Sequence, residues 1–415
     1  MNVLIKNATI IHKGSKFHLK KYDLLISGGK IQKIQKGITD HKGSKLEGKD
    51  LYCCIGLCDI GTHSGEPGFE HRETLHSLSK AALAGGYTSL AVFPNNIPVT
   101  QTKADIKYLK EHAELQGVEI WPIGALSKDI KGVDIAEYMD MAAGGAVAFS
   151  DGMKSIQNTG LLSRALQYAA QIGGVVIHHP DDHHLSQGGE MHEGEMSTLL
   201  GLKGIADIAE LHTVQRDILI NEYNSGNLIE HCISSERSVS VIKKAKEAQK
   251  SLFSTVSYMN LLHTDADMHD FNTNLKVSPV LRSEKDKKAL IHGLKNGTID
   301  AIVSNHTPLD EESKNLEFPY AIPGAIGLET CLMACVSGLR DEMDLADIIE
   351  KLTVMPRKIL NIPIPEIEEG QSVNLCVFEI TQPFIFTTSD LRSKSTNSPY
   401  VDKEFDVRVL AAMRS

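Results

Sequence analysis

The chain has 415 residues, and 43 Lys and Arg against 53 Asp and Glu leave a formal charge of −10. An acidic chain with no basic run argues against nucleic acid as a partner. A composition of 41% hydrophobic and 23% charged residues excludes a disordered or fibrous chain. No stretch approaches the roughly 18 consecutive apolar residues of a membrane-spanning helix.

The N-terminus, MNVLIKNATIIHKG, alternates like a strand and lacks the zones of a signal peptide, so a cytoplasmic protein is expected. Seven cysteines, at 53, 54, 58, 232, 331, 335 and 376, include no CxxC pair, and reduced thiols are expected. Cys331 and Cys335 stand four apart on a predicted helix, as small buried hydrophobes do.

The first fifty residues read as short strands: VLIKNATII, then DLLISGGKIQKI with a hairpin turn at Gly28-Gly29, then KLEGKDLYCC. The middle has a different rhythm. Apolar runs recur at 57–63, 89–94, 118–126, 145–150, 174–179, 227–232, 251–257 and 301–306. Helical patterns such as RETLHSLSKAALAGG and TGLLSRALQYAAQIGG lie between them. Apolar runs alternating with helices predict parallel strands with helical crossovers, and eight such units predict a (β/α)8 barrel. Strands return from residue 372, in SVNLCVFEI, PFIFTTS and EFDVRVLAAM. The expected α/β organisation is therefore a TIM-type barrel over 55–364. A small β-sandwich built from both termini, 1–54 and 365–415, completes it.

Several predicted strands end on a residue able to ligate or catalyse: His63, Asp151 just past the fourth strand, His178, His231 and His306. The carboxyl ends of barrel strands form the active-site face. Of the run His178-His179-Pro180-Asp181-Asp182-His183-His184, only His178 falls on this strand-end pattern. His183 and His184 are expected on an exposed loop. Lys154 stands four positions past its strand end, which makes Asp151 the better candidate for a bridging group.

The segments EPGFEHRET, GGEMHEGEMSTLLGLKGI, FNTNLKVSPVLR, LKNGTIDAI, IPGAIGLET and NSPY resemble those of the amidohydrolase superfamily. The match is to dihydroorotase of the kind that associates with aspartate transcarbamoylase. The resemblance covers nearly the whole chain. It implies a barrel holding one or two zinc ions that activate a hydroxide for opening, or closing, the cyclic amide of dihydroorotate. It also implies a homo-oligomer that could partner the transcarbamoylase. Asp151 matches the family's bridging carboxylate, and His178 and His231 match ligands of the second ion. Asn95 and Asn274 match substrate contacts.

Four positions depart from the pattern. The family's first strand ends in His-x-His, where this chain has Gly61-Thr62-His63. Asn305 stands in place of the aspartate that binds the first metal and shuttles the proton. An amide cannot take up that proton, and general acid–base catalysis contributes about 10²–10⁴-fold. Gly65 and Leu309 stand in place of the Arg and His that hold the substrate carboxylate. The end of the seventh strand, SYMNL, has Met259-Asn260 where a histidine pair is usual.

His63, Asp151, His178 and His231 are compatible with one zinc ion, and equally with a metal-free polar cluster. Two functions stay open. One is a non-catalytic dihydroorotase-like partner of aspartate transcarbamoylase, favoured by the four departures. The other is an active zinc-dependent hydrolase of dihydroorotate or of another cyclic amide, such as allantoin or a hydantoin.

Overall fold

The computed structural model describes residues 2–39, 41–114 and 117–415. Eight parallel strands follow one another around a barrel: Leu57–Thr62, Tyr87–Val92, Glu119–Ala125, Ala148–Ser150, Val175–His178, Leu228–Glu230, Leu252–Ser257 and Ala301–Val303. Helices connect them on the outside. The Leu75–Ala84 helix starts from a capping box of Thr74 and Ser77, and Asn158 caps Thr159–Gln171 by accepting Leu161 N–H. These side chains satisfy amide groups that the first helical turn leaves unpaired.

Alternation along the strands sorts side chains between two cores. Ile60, Ala91, Phe93, Val175, Ile177 and Ile229 fill the barrel interior. Leu57, Leu90, Val92, Val176 and Leu228 pack outward against the helices. At the seam, side chains join the first strand to the eighth. Asp59 Oδ1 accepts Ser304 N–H at 2.7 Å, and Oδ2 accepts the Ser304 and Thr62 hydroxyls, each at 2.6 Å. His63 N–H donates to the His306 carbonyl at 3.1 Å.

Both termini meet in a seven-stranded mixed sheet, the sandwich-like domain. Lys21–Ser27 and Lys30–Gln35 pair antiparallel through a turn at Gly28 and Gly29, both with left-handed φ (59° and 75°). That is the conformation a two-residue hairpin requires. The C-terminal hairpin pairs Asn374–Phe386 with Lys403–Arg414, and its first strand also pairs with Leu51–Ile55. Leu375, Val377 and Met413 belong to the core of this sheet. Further along the hairpin, Phe378, Phe386, Phe405 and Val407 enter the core beneath the barrel helices. One ribbon thus spans both cores. Among the described residues no helix is long and apolar enough to cross a membrane.

Candidate active site

The carboxyl ends of the strands bring His63 and His231 to one place, at the rim of the barrel interior. Phe93, just past the second strand, lies against both, with ring centroids 5.5 Å from His63 and 5.3 Å from His231. Burial pulls the His63 imidazole down to about 4, with His306 adding to the effect. Burial, then His179 and His63, pulls His231 down to about 3. Both rings are neutral bases at neutral pH. The Thr255 hydroxyl lies 3.0 Å from His231 Nδ1, while Nε2 is buried without a hydrogen-bond partner.

The other expected ligands are held elsewhere by their own partners. Asp151 Oδ1 accepts the Leu126 and Ser127 N–H groups at 3.0 and 2.8 Å, and Oδ2 accepts the Ser127 hydroxyl. Burial raises this carboxyl, and those three donors pull against it. His178 faces the helix layer, contrary to the strand-end reading. Its Nδ1 lies 2.5 Å from Asp217 Oδ2, and its Nε2 accepts Ile156 N–H at 2.8 Å. The reason is alternation: Val175 and Ile177 point into the barrel, so position 178 points out and 179 points in. His179 is the histidine beside His231, with Nδ1 3.3 Å from the His231 carbonyl.

Asn305 takes a left-handed φ of 49°, and its Nδ2 donates to the Ser278 carbonyl at 2.8 Å. Asn95 Nδ2 donates to the Asp151 carbonyl at 3.1 Å, leaving its Oδ1 buried without a donor. Asn274 lies further out, lining a cleft of about 220 Å³ with Leu309, Asp310 and Lys314. Leu309 N–H is held by Asn397 Oδ1 at 3.2 Å, which is how the NSPY segment reaches the barrel mouth. His183 and His184 begin a short helical turn, His183–Ser186, and are exposed.

Beside His179 opens a second cleft of about 240 Å³, also lined by Asp181, Glu190, Glu210, Lys276 and Arg282. The GGEMHEG segment contributes Glu190 to its wall. The basic walls are largely satisfied. Lys276 Nζ donates to the Phe318 and Pro319 carbonyls at 2.7 and 2.9 Å, and Arg282 Nε donates to Ser234 Oγ at 2.7 Å.

The zinc implied by the resemblance finds no convergent donor set. Zinc needs three or four N, O or S donors about 2.0–2.3 Å away. Among the described residues, three ligand-type groups approach within 4.8 Å of one another only at His178, Asp217 and Glu230. That cluster faces the Ile208–Asn224 helix, and both nitrogens of His178 are already committed, Nδ1 to Asp217 on that helix and Nε2 to Ile156 N–H. Glu230 is fully buried with neither oxygen hydrogen-bonded. Burial, then Asp217 beside it, raises its carboxyl well above the ordinary range.

Sequence reasoning missed His179, Phe93 and Glu230. The signal was the period of two through VVIHH and LIEH, which sends 177, 179, 229 and 231 inward and 178 and 230 outward.

A parallel eight-stranded barrel with a histidine cluster at its carboxyl mouth and a terminal sheet defines an amidohydrolase-type protein. L-hydantoinase from Arthrobacter aurescens superimposes with a TM-score of 0.85 at 21% identity, over 100% of this chain and 97% of that one. D-hydantoinase from Thermus sp. gives 0.80 at 19% identity, over 98% and 93%. Residues 52–238 match the family described as Dihydro-orotase-like. The dihydroorotase of Syntrophus aciditrophicus is 37% identical over 406 residues, 96% of this chain and 95% of the relative. That of Acetivibrio thermocellus is 36% identical over 381 residues, 91% and 89%. The chain belongs to the dihydroorotase family of cyclic amidohydrolases.

Proposed function

We propose that this protein is a non-catalytic dihydroorotase homologue, retained in pyrimidine biosynthesis as a partner of aspartate transcarbamoylase. The observation that carries this reading is the commitment of its acid–base groups. Asp151 already accepts three hydrogen bonds from Leu126 and Ser127, and Asn305 offers an amide that already donates to Ser278. The two positions that match the family's acid–base groups therefore offer neutral imidazoles nearby but no uncommitted carboxylate of their own to take a proton from water and pass it to the leaving nitrogen. Gly65 and Leu309 give the dihydroorotate carboxylate no cationic partner, and each charge-assisted bond of that kind is worth about 1.5–3 kcal/mol. The transcarbamoylase partnership and a homo-oligomeric state rest on the resemblance to the associated kind of dihydroorotase. The seven buried free cysteines agree with a cytoplasmic place.

The test is dihydroorotate turnover by protein expressed with added zinc, beside Asn305→Asp and Gly61→His. Groups that act as a unit are strongly non-additive, so no turnover above background is expected from any of the three. Co-elution with the transcarbamoylase of the same cell on size exclusion is expected. Robust turnover by the wild type would replace this reading with that of an active cyclic amidohydrolase.

A further inference from the structure

We infer that this chain pairs with a second copy of itself through a surface of two signs: the lysine-rich loops of one copy's N-terminal sheet meet the acidic stretches of the other. The inference deepens the homo-oligomeric part of the reading above, and rests on it. Residues 1–50 hold 11 lysines, no arginine and four acidic residues, a charge of +7. The remaining 365 residues therefore carry −17. Segregation of that size bears on which partners a surface attracts.

The positive half is built around an aromatic pair. The Phe17 and Tyr22 rings meet edge to face at 5.1 Å. Lys16 Nζ lies 5.1 Å from the Phe17 centroid, and Lys36 Nζ 5.9 Å from that of Tyr22. Lys20 Nζ donates to the Lys16 carbonyl at 2.9 Å, and Lys21 begins the Lys21–Ser27 strand. All four lysines are exposed. Among the described residues, the lysines of this segment that form ion pairs are Lys6, Lys13 and Lys45, not these four. Leu19, between them, is 61% exposed. The negative half adjoins. Lys13 Nζ reaches Asp347 Oδ1 at 2.6 Å and Glu350 Oε2 at 2.5 Å, both on the Leu345–Ile359 helix. Ser15 Oγ donates to the Ile367 carbonyl at 3.4 Å. These contacts set the lysine loop beside two exposed acidic stretches, Asp341 and Asp344 before that helix and Glu366 and Glu368 after it. Among the described residues, the ion pairs in these stretches are made by Glu342, Asp347 and Glu350, which leaves those four carboxylates outside any ion pair. Ile364, 39% exposed, is the apolar residue on this side.

A surface with a positive half beside a negative half is complementary to itself. A two-fold rotation lays each half on the opposite half of the second copy, so both contacts attract at once. The same layout disfavours a membrane or a nucleic acid. A field of phosphates wider than the positive half also faces the acidic remainder, which repels it. Leu19 and Ile364 supply exposed apolar area, while the charges set orientation and the rate of encounter. The experiment is sedimentation velocity of the full chain at about 0.05 and 0.5 M NaCl, since the higher salt screens exposed charges beyond a few ångströms. The positive half is reversed by Lys16→Glu, Lys20→Glu, Lys21→Glu and Lys36→Glu together. The negative half is reversed by Asp341→Lys, Asp344→Lys, Glu366→Lys and Glu368→Lys. Circular dichroism with thermal melting reports folding. A double variant, Lys20→Glu with Lys21→Glu, leaves both lysine–ring contacts in place and serves if the fourfold reversal unfolds the sheet.

The wild type is expected to sediment as a dimer at low salt, with a dissociation constant weakened at least about tenfold at high salt. Each fourfold variant is expected to be a monomer, because like charges then face each other at both contacts. An equimolar mixture of the two is expected to sediment as a dimer, because opposite signs meet at both contacts again. The double variant is expected to self-associate at least about tenfold more weakly than the wild type. A wild type that is monomeric at low salt would overturn the surface together with the homo-oligomeric reading. Binding of that monomer to phosphatidylserine vesicles, lost on lysine reversal, would assign the lysines to a lipid surface instead. A dimer that folded lysine variants leave intact overturns the surface alone, as does a mixture that stays monomeric. Dihydroorotate turnover is scored separately: turnover by the wild type sinks the non-catalytic reading and leaves the surface standing.

Discussion

Glu230 has no exposed surface and no donor for either carboxylate oxygen, and Asp217 crowds it from the same side of the strand. An unsatisfied buried polar group costs about 1–3 kcal/mol, so Glu230→Leu should raise stability by that order, read as a higher thermal midpoint. A lowered midpoint would mean that the acid has a partner in solution. Asp310 is the opposite case. Burial would raise it, but Ser313 and Arg72 outweigh that and hold it at about 2, with Arg72 Nε at 2.7 Å. Its folded value lies below its unfolded one. The pair therefore stabilises above about pH 4, by about 1–2 kcal/mol after allowance for solvent screening. That stability drains away as pH falls through 2. Asp310→Asn should lower stability at pH 7 and flatten the acid limb of a stability–pH curve. An unchanged acid limb would remove the pair from the account.

At the scale of elements, the end of the first barrel strand and the loop after it are shaped by their glycines. Gly65 has a φ of +70°, and a Cβ there would fall 2.5 Å from the Glu73 carbonyl oxygen and 2.8 Å from Glu73 Cβ. Glu73 cannot yield easily. It is fully buried, takes the Ser77 and Ser393 hydroxyls, and faces His306 Nε2 at 3.5 Å. Gly61 is blocked in the same way by Phe93 and His231. Gly61→Ala and Gly65→Ala are each expected to cost more than about 1 kcal/mol, since both strain a left-handed backbone and clash. Urea unfolding would measure it, and a neutral result at either site would show that the loop can relax. Restoring a His at 61 and an Arg at 65 therefore requires rebuilding this loop, beyond exchanging side chains.

At the scale of the whole molecule, the C-terminal ribbon joins the two cores. Asn374–Phe386 pairs with Leu51–Ile55 at one end, and Phe386 and Phe405 lie in the core beneath the barrel helices at the other. A chain ending at residue 364 would expose the edge of Leu51–Ile55 and lose those aromatic rings. Phe side chains in a core are worth about 3–5 kcal/mol each when truncated, a large part of the 5–15 kcal/mol of a typical domain. Such a truncation is expected to show no cooperative thermal transition and to aggregate. A folded, cooperative barrel would prove the terminal sheet dispensable.

The eightfold alternation of apolar runs and helices fixed the barrel from sequence, because strands buried on both faces must be apolar along their whole length. The β-rich ends likewise announced a sheet from both termini, and the segments from EPGFEHRET to NSPY announced the family. The occupants of the mouth were a matter for the tertiary structure. His178 and His179 are adjacent letters, and only the phase of the fifth strand, set by Val175 and Ile177 packing inward, decides which one faces His231. Asp151 reads as a free carboxylate until Ser127, from the end of the neighbouring strand, is seen to hold it. Phe93 reads as one more core residue until closure of the barrel brings residues 61, 63, 93 and 231 together. Local patterning determines elements because it depends on neighbours in the chain. A site depends on which side chains reach the same few cubic ångströms, and that is settled only when the barrel closes.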